Sequence, residues 1–189
     1  MNTHGRMLGI RLEMIDATIV RAHQHSAGAL KKGPDQAMGR SRGGLTTKIH
    51  AIVDALGNPL AVSLTGGQVH SSGKSTSRAS PLLGQVHDIT QAQALVAQVE
   101  PQAPPADKGY DADAFVECLE ARAITPAVPP KSNRKVKRGC GPALYGERNL
   151  IERFFNVIKH FRGIATRYEK TARNFLAGIQ LVCALSWLK

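Results

Sequence analysis

The stretch that most constrains this chain runs from residue 145 to residue 170 and reads YGERNLIERFFNVIKHFRGIATRYEK. Apolar residues recur in it at intervals of three and four, which is the pattern of an amphipathic helix with one face in a core. They are Ile151, Phe154, Phe155, Ile158 and Phe161. The spacing therefore predicts a helix that starts near Glu147.

The predicted helix also carries a polar stripe on the flank of its apolar face. At about 100° per residue, Arg148, Glu152 and Lys159 fall within about 40° of one another. Taken alone, a carboxylate between two cations is typical of a solvated helix face with an i,i+4 ion pair. Evidence from other parts of the sequence is needed to distinguish that interpretation from a functional site.

The charge of the chain points to a polyanionic partner. The formal net charge is +11, and residues 131–189 hold 13 Lys and Arg against 3 Asp and Glu. The basic surface therefore belongs to the same third of the chain as the predicted helix. The sequence has no run of 18 apolar residues and no signal-peptide pattern, which favours a cytoplasmic protein without a membrane partner.

Several other kinds of site find little support in the sequence. The three cysteines lie far apart and form no C-x-x-C pair, so neither a disulfide framework nor a zinc site is indicated. His23 and His25 could ligate a metal, but without a third soft ligand nearby they favour DNA contacts or loop packing. The segment SSGKST resembles a phosphate-binding loop, yet the glycine required five residues before Gly73 is replaced by Gln68.

An acid interrupts the first apolar segment. Residues 9–20, GIRLEMIDATIV, predict a buried strand with Asp16 in its middle. An unpaired carboxylate there would cost several kcal/mol, so it must be paired, protonated or bound to metal. The alternative is a turn acid placed one residue out of phase.

The remaining pattern predicts one α/β domain over residues 1–189. A glycine-rich basic loop at 28–44 leads to a hairpin over 47–65, and a helix follows that is capped by Asp88 or Thr90. Asp107 ends a short strand, and a helix from Asp113 and a last strand, ITPAV, come next. We therefore expect a mixed sheet flanked by helices, with a basic loop over 131–146.

One segment has the pattern of an insertion. The tetrapeptide GQVH occurs at 67–70 and again at 84–87, so removing 17 residues would join the hairpin directly to the next helix. We predict a surface loop within 66–87, which is tolerated because loop-closure entropy grows slowly with length.

The spacing Y-x2-R-x3-E-x6-K at Tyr145, Arg148, Glu152 and Lys159 resembles the signature around the last catalytic glutamate of DDE transposases of bacterial insertion sequences. These belong to the superfamily that contains the IS-four and IS-five groups. The segments IDATIVRAHQHSAGA and ADKGYDAD resemble the family's first- and second-aspartate segments. The C-terminal end resembles the IS-five group whose transposase is split between two reading frames.

The resemblance implies a ribonuclease H-like fold with Asp16, Asp107 and Glu152 as catalytic residues and metal ligands. Three converging carboxylates would repel one another without cations, so they favour two Mg²⁺ ions, with Mn²⁺ able to substitute. The implied reaction is cleavage at the ends of a mobile element followed by strand transfer into target DNA. The residues expected to bind DNA are Tyr145, Arg148, Lys159, Arg40, Arg42, Lys131, Arg134, Lys135, Lys137, Arg138, Arg162 and Arg167.

The resemblance also implies partners. Few residues precede the first strand, so we expect that the DNA-reading domain is absent and that an upstream-frame product supplies it. Double-stranded DNA, a homodimer in the synaptic complex and a location at the bacterial nucleoid are further expectations. The alternative is an inactive, truncated fragment that only binds DNA. A plain nuclease of the ribonuclease H superfamily fits less well, because it would not need the Tyr, Arg and Lys offsets.

Overall fold

The computed structural model describes residues 13–28, 36–41, 43–67, 82–99, 113–121 and 149–188. The strands are β1 (Glu13–Ala22), β2 (Gly39–Ser41), β3 (Gly44–Asp54), β4 (Pro59–Gly66) and β5 (Thr166–Arg167), and a 3₁₀ helix covers Gln24–Gly28. The helices are α1 (Leu82–Val99), α2 (Asp113–Glu120), α3 (Asn149–Lys159), α4 (Arg162–Ala165) and α5 (Ala172–Ser186).

Within the described residues, the strands form one mixed sheet of five. β1 pairs with β3 in antiparallel register from Glu13 opposite Asp54 to Arg21 opposite Thr46. β4 and β2 pair antiparallel with β3, whereas β5 pairs with the end of β1 in parallel. β1 is therefore a central strand that has a neighbour on each side.

The hairpin between β3 and β4 is held by one carboxylate. Asp54 Oδ1 accepts hydrogen bonds from the backbone N–H groups of Leu56 and Asn58, each at 2.8 Å. Gly57 has a φ of 83°, a conformation that suits glycine because it has no Cβ. This turn fixes the register that pairs Ile52 with Ala61 and Ala51 with Val62.

Helices cover both faces of the sheet. Because side chains alternate along a strand, Met14 and Val20 lie on one face, where they pack with buried residues of α3 and α5. Ile15 and Ile52 lie on the other face and pack with α1 and α2. The result is a three-layer arrangement with apolar cores on both sides of the sheet.

This architecture confirms the predicted fold class, a mixed α/β sheet flanked by helices. A central first strand and two further antiparallel strands fit the predicted ribonuclease H-like fold, and the two-residue strand β5, which was not predicted, adds a parallel pairing at the end of β1. The predicted strand at Asp107, the strand ITPAV and the basic loop 131–146 lie outside the described residues. Among the helices that the structure describes, none is long and apolar enough to cross a membrane.

Two boundaries differ from the predictions. α1 begins at Leu82, so residues 82–87 of the predicted insertion loop are helical and both predicted caps, Asp88 and Thr90, lie inside the helix. Pro81 precedes this start in the sequence, and proline favours the first turn of a helix. α3 ends at Lys159, and Phe161 beyond it is 46% exposed rather than part of the buried face.

Candidate active site

Asp16 lies on the sheet face that α3 covers. Along β1, Met14, Asp16, Thr18 and Val20 alternate onto this face. Met14 and Val20 are buried in the core, whereas Asp16 is half-buried and Oδ1 accepts a hydrogen bond from the Ala17 N–H at 2.7 Å. The carboxylate therefore sits in the middle of a packed strand at a place that solvent reaches.

The residue opposite Asp16 is small. The register of β1 and β3 places Ala51 across from Asp16, and Ala51 is fully buried. A larger side chain at that position would occupy the space beside the carboxylate, since directly opposite Cβ atoms lie about 5 Å apart.

The sequence of α3 separates a buried face from a polar, exposed one. Ile151, Phe154, Phe155 and Ile158 are buried against the sheet, as the spacing predicts. Glu152 is exposed and lies seven residues before Lys159, so the two side chains leave the helix in nearly the same direction.

A side-chain hydrogen bond fixes this polar stripe to β1. Lys159 Nζ donates to Thr18 Oγ1 at 2.5 Å. Lys159 is half-buried, and burial lowers the pKa of its amino group because the charged form loses hydration. Thr18 is two residues from Asp16 on the same face, so the lysine reaches the neighbourhood of the first aspartate.

α3 runs alongside β1 and in the same direction as β1. The helix begins beside the β3–β4 turn, where a methyl group on Gly57 would lie 3.7 Å from the Leu150 carbonyl oxygen. That turn adjoins the Glu13 end of β1. Seven helical residues rise about 10.5 Å, which is the length of about three strand residues, so this direction predicts that Glu152 lies nearer than Lys159 to the Glu13 end of β1.

The structure describes only some of the other predicted site residues. Asp107, Tyr145, Arg148, Arg42 and the basic loop residues Lys131, Arg134, Lys135, Lys137 and Arg138 lie outside the described residues, and only the backbone of Arg40 is described. Arg162 is exposed at the start of α4, close in sequence to Lys159. Two of the three predicted carboxylates and two exposed or half-exposed cations are therefore placed.

Comparison with known proteins identifies the family. A family model described as a transposase DDE domain matches residues 105–189. A protein named as a transposase for insertion sequence element IS6501 of Brucella ovis is 37% identical over 149 residues, which are 77% of this chain and 100% of that protein. A second, named for element IS402 of Burkholderia cepacia, is 32% identical over 158 residues, which are 84% of this chain and 69% of that protein.

The chain belongs to the DDE transposases of insertion sequences. Membership of this family supports a function in DNA transposition and the use of a divalent metal ion. Among solved structures, the piggyBac transposase synaptic complex with hairpin DNA is 15% identical with a TM-score of 0.34. That match covers 66% of this chain and 24% of the piggyBac chain.

The donor chemistry of the placed acids suits the metal that DDE transposases use. Asp16 and Glu152 supply hard carboxylate oxygens, which are the ligands that Mg²⁺ and Mn²⁺ prefer. Among the described residues no group of three or more His, Cys, Asp or Glu could hold a metal ion. The third predicted acid, Asp107, lies outside those residues.

Arg167 corrects one of the DNA-binding predictions. Its side chain is fully buried and donates hydrogen bonds to the carbonyl oxygens of Gln36 at 2.8 Å and Glu169 at 3.0 Å, and to Thr47 Oγ1 at 2.8 Å. Its guanidinium also lies 5.2 Å from the centre of the Phe175 ring. A buried guanidinium that is bound in this way cannot reach a DNA phosphate, so its role is structural.

Sequence reasoning missed Thr18. The residue stands two positions after Asp16, so the alternation of a strand places it on the same face. That spacing was the only available signal. Its partner Lys159 lies 141 residues away in the chain, and nothing in the sequence pairs the two.

Proposed function

We propose that the chain is the catalytic domain of a transposase that cleaves DNA strands and carries out strand transfer in a metal-dependent reaction. The observation that carries the proposal is the hydrogen bond between Lys159 and Thr18, which brings the polar stripe of α3 onto the Asp16 face. A carboxylate stripe on a merely solvated helix would not need an anchor to the strand that holds a second carboxylate.

In this proposal Asp16, Asp107 and Glu152 hold two Mg²⁺ ions, or Mn²⁺ in their place. When bound, the ions supply activation of the attacking water or 3′-hydroxyl and neutralise charge on the leaving oxygen. The residues of the chain contribute by holding the reacting groups in fixed positions. The half-buried Asp16 is held in a packed strand, so its oxygens stay fixed while DNA enters.

The cations orient DNA. Lys159 carries its charge on the same stripe as Glu152 and would bind a phosphate beside the acids. Arg162 is exposed and would contact a phosphate farther along the strand, and we propose the same role for Arg148, Tyr145 and the basic loop. Such contacts position DNA without reading its sequence, so recognition of element ends needs base contacts from elsewhere.

The proposal extends to partners and place. An upstream-frame product would supply end recognition, two copies of the chain would act in a synaptic complex, and the protein would work at the bacterial nucleoid. Membership of the IS-five group with two reading frames stays a prediction.

The test is strand transfer of a precleaved element-end oligonucleotide into plasmid DNA with Mg²⁺ or Mn²⁺. Glu152→Gln should abolish the product, because the amide removes a negatively charged oxygen ligand. Glu120→Gln is the matched control, since Glu120 is an exposed glutamate on α2.

Two results would decide against catalysis. If wild-type chain and Glu152→Gln both bind DNA but neither forms product, the alternative of a DNA-binding fragment is supported. If Glu152→Gln forms product as fast as wild type, Glu152 is not part of the reaction.

A further inference from the structure

Thr18 and Lys159 together have more hydrogen-bond donors than the one bond between them uses. An ammonium group has three N–H donors, and Thr18 Oγ1 accepts one of them at 2.5 Å. Because the threonine oxygen accepts from Lys159, its own O–H remains a donor to another group. The pair therefore presents a positive charge and several donors at one place.

The surroundings restrict what those donors can bind. Thr18 and Lys159 are both half-buried and lie between β1 and the end of α3. On the neighbouring strand β3, the residue opposite Thr18 is the fully buried Ile49, which offers only an apolar side chain. An oxygen-rich anion that arrives from solvent would satisfy the remaining donors, and a phosphodiester has two non-bridging oxygens that can accept them.

We propose that Thr18 is a positioning residue of the active site, which holds Lys159 on the Asp16 face and shares with it the binding of one DNA phosphate. This inference deepens the proposed function and rests on it. The ligand is a backbone phosphate next to the position of the reacting phosphodiester, because Thr18 is two residues from Asp16 on one face of β1.

A purely structural threonine would fit the site less well. β1 is a strand, and valine has the same shape and an equally good strand propensity without burying a hydroxyl. A lysine without the threonine would keep its long side chain free to take several rotamers. The hydrogen bond removes that freedom before DNA binds, so less entropy is lost on binding.

The experiment measures binding of the 189-residue chain to a fluorescein-labelled duplex oligonucleotide by fluorescence anisotropy, without metal. Four variants are compared with wild type: Thr18→Val, Thr18→Ser, Lys159→Met and the double variant Thr18→Val/Lys159→Met. We expect Thr18→Val to weaken binding by about five- to tenfold, the net effect of losing one hydrogen bond of ordinary strength. Thr18→Ser keeps the hydroxyl and should bind within about twofold of wild type.

The double variant separates positioning from structure. If Thr18 acts with Lys159, adding Thr18→Val to Lys159→Met should weaken binding by a clearly smaller factor than Thr18→Val does in the wild-type chain. Lys159→Met should also lower the slope of log affinity against log salt concentration by about one, as expected for one lost phosphate contact. Thermal denaturation of all variants shows whether any loss of binding comes from unfolding.

The outcomes distinguish this inference from the proposed function. The role of Thr18 would be overturned if Thr18→Val bound DNA with wild-type affinity. It would also be overturned if Thr18→Val lowered the affinity by the same factor in the Lys159→Met background as in the wild-type chain. A wild-type chain that does not bind DNA would overturn it as well. A chain that shows the expected binding cycle but no strand transfer would uphold the phosphate site and reject catalysis.

Discussion

Arg167 Nη1 donates a hydrogen bond to Thr47 Oγ1 at 2.8 Å in the interior of the protein, and Thr47 Oγ1 in turn donates to the Ala37 carbonyl oxygen at 2.7 Å. Three separate parts of the chain therefore meet at one guanidinium. Ala37 has a φ of 50°, a backbone conformation that is uncommon for alanine and is held here by these hydrogen bonds.

We predict that Arg167→Met destabilises the fold by about 2–4 kcal/mol, because it leaves buried carbonyl oxygens without their donors. The control is Arg173→Met, which changes an exposed arginine on α5 and should shift stability by less than about 0.5 kcal/mol. Urea denaturation measures both. Unchanged stability together with a loss of DNA affinity would return Arg167 to a role in DNA binding.

The packing of α3 should matter in proportion to burial. Ile158 is fully buried, so Ile158→Ala should lower the free energy of unfolding by about 2–5 kcal/mol through lost burial and a residual cavity. Val157, the next residue toward the N-terminus, is 37% exposed, and Val157→Ala should cost less than about 1 kcal/mol. Similar losses for the two variants in denaturant would contradict the orientation of α3.

The two flanks of α3 should differ in DNA binding. Arg162 follows the Lys159 end of the helix, whereas Arg153 lines an open cleft of about 430 Å³ at the β3–β4 turn. Arg153 leaves the helix about 100° from Glu152, away from the proposed DNA path. Arg162→Gln should therefore weaken DNA binding and lower the salt slope by about one, and Arg153→Gln should change neither. A larger effect of Arg153→Gln would place DNA on the opposite flank.

Cys183 should react slowly. Burial against α3 and the sheet raises the pKa of its thiol to about 11 from an ordinary value of 9.0. Since the raised pKa belongs to the folded state, the stability linked to this thiol is fully present below pH 9.0 and is lost as pH rises through about 11.

The reaction rate of the Cys183 thiol can be measured with a disulfide-exchange reagent at pH 8, on chains that keep a single cysteine. With Cys118→Ser and Cys140→Ser, the remaining Cys183 should react at least about tenfold more slowly than in urea-unfolded chain. The control keeps Cys118 instead, which is half-buried and should be less protected. Equal rates in the folded and unfolded chain would contradict the burial of Cys183.

The sequence predicted the elements that are marked by a pattern of apolar residues close together in the chain. The three- and four-residue spacing of Ile151, Phe154, Phe155 and Ile158 identified the buried face of α3, and alternation in residues 9–20 identified β1 and the strand position of Asp16. The start of α1 was less predictable, because the repeated GQVH suggested an insertion up to residue 87, whereas the helix already begins at Leu82.

Contacts between distant segments could not be predicted. A positive charge in TRYEK looks the same in sequence whether it faces DNA or the interior. Only the fold shows that Arg167 meets Gln36 and Thr47, which lie 131 and 120 residues away. The same applies to the contact of Lys159 with Thr18, which attaches the polar stripe of α3 to β1.

The most direct measurement of the central claim is strand transfer by Asp16→Cys in Mg²⁺ and in Mn²⁺. If Asp16 binds the catalytic ion, the thiolate should abolish activity with Mg²⁺, which prefers oxygen ligands, and restore part of it with the softer Mn²⁺. Wild type should be active with both ions. Wild-type activity of a folded Asp16→Cys chain in Mg²⁺ would show that this carboxylate does not hold the metal, and would contradict the account.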